Sequence, residues 1–103
     1  RVLEIQSLKE ILAGYDIRLS ELENVSPKSK QTKQICRQVI QVIMRSPGMK
    51  DETLQSGNLP LVQIEKELNV TRKKFERHRK YIIAVLLIKT GDYPYLAEYV
   101  RGM

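Results

Sequence analysis

The sequence predicts an all-α fold, a compact domain of about five or six helices containing a helix-turn-helix. Three observations carry that prediction. Apolar residues recur at three- and four-residue spacing along most segments. No segment sustains the alternate-residue pattern of a strand, and Gly-punctuated hairpin signals are missing. Residues 61–80 read as a short helix, a tight turn and a longer basic helix.

In chain order, Leu3, Ile5, Leu8, Ile11, Leu12 and Tyr15 give residues 2–15 an amphipathic helical spacing, with Gly14 as the stop signal. Residues 17–24 suit a short helix with Ser20 as its N-cap. Ser26-Pro27 signals the next start, because proline is favoured at the first helical position. That helix is expected to run to Arg45 with Ile35, Val39, Ile40, Ile43 and Met44 facing inward. Ser46-Pro47-Gly48 ends it, since proline neither continues a helix nor favours a helical predecessor. Residues 49–56 suit one more short helix, and Gly57-Asn58-Leu59-Pro60 turns the chain into Leu61.

The helix-turn-helix is expected at about 61–88. Ile64 and Leu68, one turn apart, put an apolar seam on its first arm. Asn69 falls where the chain must bend, and asparagine tolerates a left-handed backbone better than most residues. Val70 then plugs the corner and Thr71 is an acceptable N-cap. On an α-helical second arm, Phe75, Ile82 and Val85 share one face while Arg72, Lys73, Glu76, Arg77 and Lys80 share another. The arm changes character at Tyr81. From there to Ile88 it is apolar nearly all round and requires cover from other helices. The apolar half would thus anchor the basic half at a fixed angle, and a rigid arm loses less entropy on binding than a mobile one. Thr90-Gly91 ends it, and Asp92-Tyr93-Pro94 restarts a final turn or two through Val100.

The 103 residues suit a single domain, 1–103. With 42% hydrophobic and 29% charged residues the chain is a soluble globular protein, not a disordered one. The apolar run from Tyr81 to Ile88 is far too short to insert in a membrane, and no secretory signal precedes it. A start at Arg1 rather than Met reads as a piece of a longer protein. The single Cys36 cannot form an internal disulfide, which fits a reducing cytoplasm.

Net charge is +6, unevenly placed. Residues 71–80 carry a net +5, and residues 24–50 hold Lys28, Lys30, Lys33, Arg37, Arg45 and Lys50 with no acid, whereas the remainder sums to −5. A lone basic run is ordinarily a solvated helix face. Joined to a helix-turn-helix, clustered cations attract phosphate and release its counterions.

Catalytic chemistry has no support here. His78 lies on the stripe of Phe75, Ile82 and Val85 and reads as a core-edge histidine. With one His and one Cys there is no zinc site, and neither metal nor cofactor is expected. Asp51 and Glu52 diverge on a helix, and neither a phosphate loop nor a nucleophile elbow is present. Tyr93, Tyr95 and Tyr99 suit a clamp on the end of the long helix better than a base-stacking platform. Lys28, Lys30, Lys33 and Arg37 suit contact with DNA backbone, or with an acidic surface of another protein; the sequence leaves both open.

Two stretches, Thr71-Arg-Lys-Lys-Phe-Glu-Arg-His-Arg-Lys-Tyr-Ile-Ile-Ala84 and Gly91-Asp-Tyr-Pro-Tyr-Leu-Ala-Glu-Tyr99, resemble the C-terminal domain of sigma-I factors, alternative sigma factors of bacterial RNA polymerase. More generally, the chain is similar to the fourth region of bacterial sigma factors. The resemblance implies recognition of the promoter −35 element as double-stranded DNA. Arg72, Lys73, Glu76 and Arg77 would face bases, with Thr71, Lys74 and Lys80 nearer the backbone. The chemistry agrees: arginine donates twice to guanine O6 and N7, and a glutamate accepts from cytosine N4. The resemblance further implies RNA polymerase core as a partner, and a membrane-associated anti-sigma factor that holds the factor inactive. Leu3, Leu8 and Leu12 are candidates to face that inhibitor. Glu65 departs from the pattern, standing where many helix-turn-helices place alanine, and must point to the edge. Asn69 in place of the usual glycine is a milder departure. Two other functions compete: a protein-interaction module that binds an anti-sigma factor or polymerase with little DNA contact, and a one-component repressor, for which no dimerisation helix or effector pocket is evident.

Overall fold

Six consecutive side chains, Ile82 to Leu87, are buried along one helix of the computed structural model, which describes residues 2–102. A helix apolar on all sides must be enclosed by others, and that requirement organises the fold. Among the described residues there are seven α-helices and no strand: α1 Val2–Gly14, α2 Leu19–Val25, α3 Lys30–Arg45, α4 Pro47–Ser56, α5 Leu61–Leu68, α6 Arg79–Thr90 and α7 Pro94–Ala97. Two of them are short, α2 with seven residues and α7 with four, which accounts for a number above the expected five or six. The central α6 packs against α1, α2, α3, α4 and α7, while α3 also packs on α4 and α5. Their shared core joins Leu8, Leu12 and Ile17 to Val39, Ile40 and Ile43 of α3, Ile64 of α5, Phe75 and the buried run of α6.

Capping side chains fix where the helices begin. Ser29 starts α3, its Oγ accepting from the Thr32 N–H at 3.1 Å. The start expected at Pro27 therefore lies three residues later, and Ser26 instead closes α2 by donating to the Leu22 carbonyl. Ser20 is not a cap, because Arg18 occupies that position without a side-chain bond. Ser46 serves two helices. Its N–H closes α3 on the Ile43 carbonyl, and its Oγ accepts from the Met49 N–H at 3.3 Å to open α4, with Pro47 in the first turn.

The two chain ends are tied together. Glu4 of α1 accepts from the N–H groups of Tyr95 and Leu96, at 3.0 and 2.9 Å, and so caps α7 from across the molecule. Tyr93 is buried beside this tie and lies 3.4 Å from Ser7 Oγ through its hydroxyl. Gly91 ends α6 by necessity: a Cβ there would lie 2.5 Å from the Tyr93 ring and 2.9 Å from the Leu87 carbonyl oxygen.

The structure also corrects the expectation for the partner-facing leucines of α1. Leu8 and Leu12 are only 3% and 0% exposed and belong to the core. They cannot face an inhibitor while the domain is folded, because α6 needs them as cover. Leu3 is 83% exposed, alongside Val2 and Ile5. The apolar stripe of α1 is wider than the surface α6 offers it.

Candidate nucleic-acid interface

Asn69 makes the corner of the helix-turn-helix. Its backbone is left-handed (φ 53°, ψ 44°), which turns the chain out of α5 within one residue. Half-buried Val70 packs into the core behind it. Thr71 follows with extended backbone in the cap position, but its side chain makes no capping bond.

That bond comes from Glu65. Its carboxylate accepts from the Arg72 backbone N–H at 2.8 Å and from the Arg72 guanidinium at 2.9 Å. The side chain that departs from the usual alanine therefore reaches over the turn and clasps the second arm to the first. The Arg72 guanidinium and then its backbone N–H hold the Glu65 carboxyl below the ordinary glutamate range; the same contact raises Arg72.

The second arm is not one α-helix. Residues Arg72–Lys74 and Glu76–His78 form two 3₁₀ turns, broken at Phe75 (φ −140°, ψ −19°), and α-helix begins only at Arg79. These tight turns coincide with two buried side chains. Phe75 is fully enclosed, and His78, three residues on, is 5% exposed. Three residues per turn eclipse such a pair, whereas a 3.6-residue turn keeps it on one face but offset by about 60°. His78 is further held by Nδ1, which lies 2.7 Å from the Val25 carbonyl oxygen; a carbonyl only accepts, so Nδ1 is the donor. As expected, this histidine is structural.

The three-residue period redistributes the candidate DNA contacts. Thr71, Lys73, Lys74, Glu76 and Arg77 are exposed together on the outer side of the arm. Arg72 lies on the inner stripe with Phe75 and His78, its side chain 40% exposed and engaged by Glu65. Lys80, in the first turn of α6, is paired with Glu21 of α2. The Lys80 ammonium lowers the Glu21 carboxyl from its ordinary value. Arg79, absent from the candidates, donates to the Gly57 carbonyl at 2.9 Å and pins the start of α6 to the end of α4. Sequence reasoning missed these ties because their partners lie 7, 22 and 59 residues away. Only Glu65, conspicuous at its position, offered a signal.

Other chemistry-bearing side chains are inert. Cys36 is buried, and desolvation pushes its thiol to about 11. Among the described residues no group of three His, Cys, Asp or Glu is placed to hold a metal ion. None of the described helices is long and apolar enough to cross a membrane.

These features define an all-helical domain with a helix-turn-helix whose second arm presents a cationic outer face. No family model matches the chain. It is similar to RNA polymerase sigma factor SigI7 of Acetivibrio thermocellus, with 42% identity over 101 residues that cover 98% of this chain and 43% of that protein. RNA polymerase sigma factor SigI of Bacillus anthracis is 39% identical over 96% of the chain and 41% of its own length. RNA polymerase sigma factor SigI of Bacillus subtilis is 35% identical, over 97% and 40%. The chain thus spans about two fifths of the length of the curated relatives it matches. Over nearly its whole length it matches part of these sigma-I factors, which supports a C-terminal domain of that family, as the sequence resemblance led us to expect.

Proposed function

We propose that this chain is the promoter-recognition domain of a sigma-I factor, and that it directs RNA polymerase in the cytoplasm by reading the −35 element as duplex DNA. The observation that carries this reading is the outward grouping of Lys73, Glu76 and Arg77 on an arm braced from behind by Phe75 and His78. Arg77 donates two bonds to a guanine edge, Glu76 accepts from a cytosine, and Lys73 reads a base edge or neutralises phosphate. Thr71 and Lys74 meet the backbone. Arg72 keeps donors beyond those used by Glu65, and the clasp pre-aims them. Lys80, already neutralised by Glu21, adds little.

A membrane-associated anti-sigma factor completes the proposal. Exposed Val2, Leu3 and Ile5 give α1 an apolar edge suited to such a partner, or to polymerase core. That edge is also the feature that favours a second reading, a protein-interaction module with little DNA contact. Promoter-swap transcription by the full-length factor separates the two. Arg77→Ala and Arg72→Ala are expected to change the ranking of −35 point mutants at one base pair each. Wild-type discrimination by both variants would remove the base-reading assignment and leave the interaction module.

A further inference from the structure

An open groove of about 800 Å³ runs between the first half of α3 and the turn that leads into the second arm. Lys30, Lys33 and Arg37 line one wall, Lys74 the other, and Ile35 and Val70 are also at its surface. None of the described residues that line it carries a carboxylate. A second groove, bounded by Lys28 and Tyr81, lies on the other side of Lys33 and Arg37. The four cations lining the first groove are exposed. Among the described residues the ion pairs engage other bases, Arg18, Arg45, Arg72, Lys80 and Arg101. Like charges crowded on one helical face repel, and an anion between them relieves the repulsion.

We propose that this groove takes a stretch of DNA phosphate backbone beside the site contacted by residues 71–77, as a second anchor blind to sequence. The proposal rests on the promoter-reading function above and names a further contact for it. Two observations select duplex phosphate over an acidic protein. Lys74 belongs both to the groove and to the first 3₁₀ turn, so the cationic wall is continuous with the base-facing arm. The spacing also matches. Lys30 to Arg37 spans roughly 10 Å along the helix at about 1.5 Å per residue, the axial rise over which one strand presents about three phosphates. The three cations on that stripe are thus available together to neutralise phosphate.

The test uses the full-length factor with core polymerase on a −35 promoter duplex, comparing wild type with the triple variant Lys30→Gln, Lys33→Gln, Arg37→Gln. The slope of log affinity against log salt is expected to become shallower by about 2.7, at about 0.9 for each phosphate no longer neutralised. Affinity falls on every promoter sequence alike, and the ranking of −35 point mutants is unchanged. An unchanged slope overturns the proposal, as does a weakening confined to one base pair. Failure of the variant to bind core polymerase without DNA also overturns it, since the occupant is then an acidic protein surface. An Arg77→Ala arm separates this from the parent reading. If that variant discriminates normally while the triple variant shows the shallower salt slope, base reading fails and the groove stands.

Discussion

The two halves of the segment from Arg72 to Thr90 are built on different physics. From Ile82 to Leu87 every side chain is buried, and α-helix forms because five other helices enclose it. From Arg72 to His78 only Phe75 and His78 are buried, and the backbone forms two 3₁₀ turns that eclipse them on the inner side. The first half draws its order from area. The second is ordered at points: a ring in the core, a histidine on a carbonyl, and a glutamate clasp. An arm held at few points leaves its remaining side chains free to face a ligand, and those are Lys73, Lys74, Glu76 and Arg77.

The most disruptive way to break this comparison is Phe75→Ala. Although it lies in the outer half, Phe75 belongs energetically to the anchor, and its truncation should lower stability by about 3–5 kcal/mol in chemical denaturation. A drop no larger than that for an exposed residue would show that the outer half is not pinned by this ring. Arg77→Ala is the opposite case. Unfolding should stay within about 0.5 kcal/mol of wild type, while binding weakens by about 1–3 kcal/mol at a single base pair in a panel of −35 point mutants. Smaller again is Lys73→Gln. If Lys73 neutralises a phosphate, affinity drops on all sequences equally and the salt slope falls by about one; an effect at one base pair instead would assign it to a base edge.

The subtlest change concerns Glu65. Because Arg72 holds its carboxyl below the ordinary glutamate value, the clasp stabilises the fold at neutral pH. That contribution is fully present above the unfolded-state value and disappears as pH falls through the folded one. Glu65→Gln should therefore flatten the acid limb of a stability-against-pH curve and leave the alkaline limb unmoved. An acid limb as steep as wild type would place the titration elsewhere.

Much of the fold was legible because its signals are local. Ser46-Pro47 punctuates two helices, Asn69 supplies a left-handed corner, and the run from Tyr81 to Ile88 demands enclosure whatever encloses it. The 3₁₀ arm was not legible. Over seven residues a three-residue period and a 3.6-residue period fit the same sequence, and a contact that holds the arm, His78 on the Val25 carbonyl, spans 53 positions. Distance in sequence also hid the Glu4 cap on α7, 91 residues away. The misassignment of Leu8 and Leu12 has a different origin. A helix with apolar residues most of the way round does not say which of them its neighbours will cover, and only the packing of α1 on α6 and α7 divides buried Leu12 from exposed Leu3. In the site, residue types were readable while their directions were not. Arg72 and Lys80 match Arg77 in charge and spacing, and only the fold brings Glu65 and Glu21 up to hold them.

Titrating the ¹⁵N-labelled protein with a −35 duplex and following its amide resonances tests the division of labour most directly. The largest shifts should fall on residues 71–77, with the amides of Ile82 to Leu87 nearly unmoved as the rigid support. Shifts concentrated on α1 and α7, with residues 71–77 silent, would contradict it.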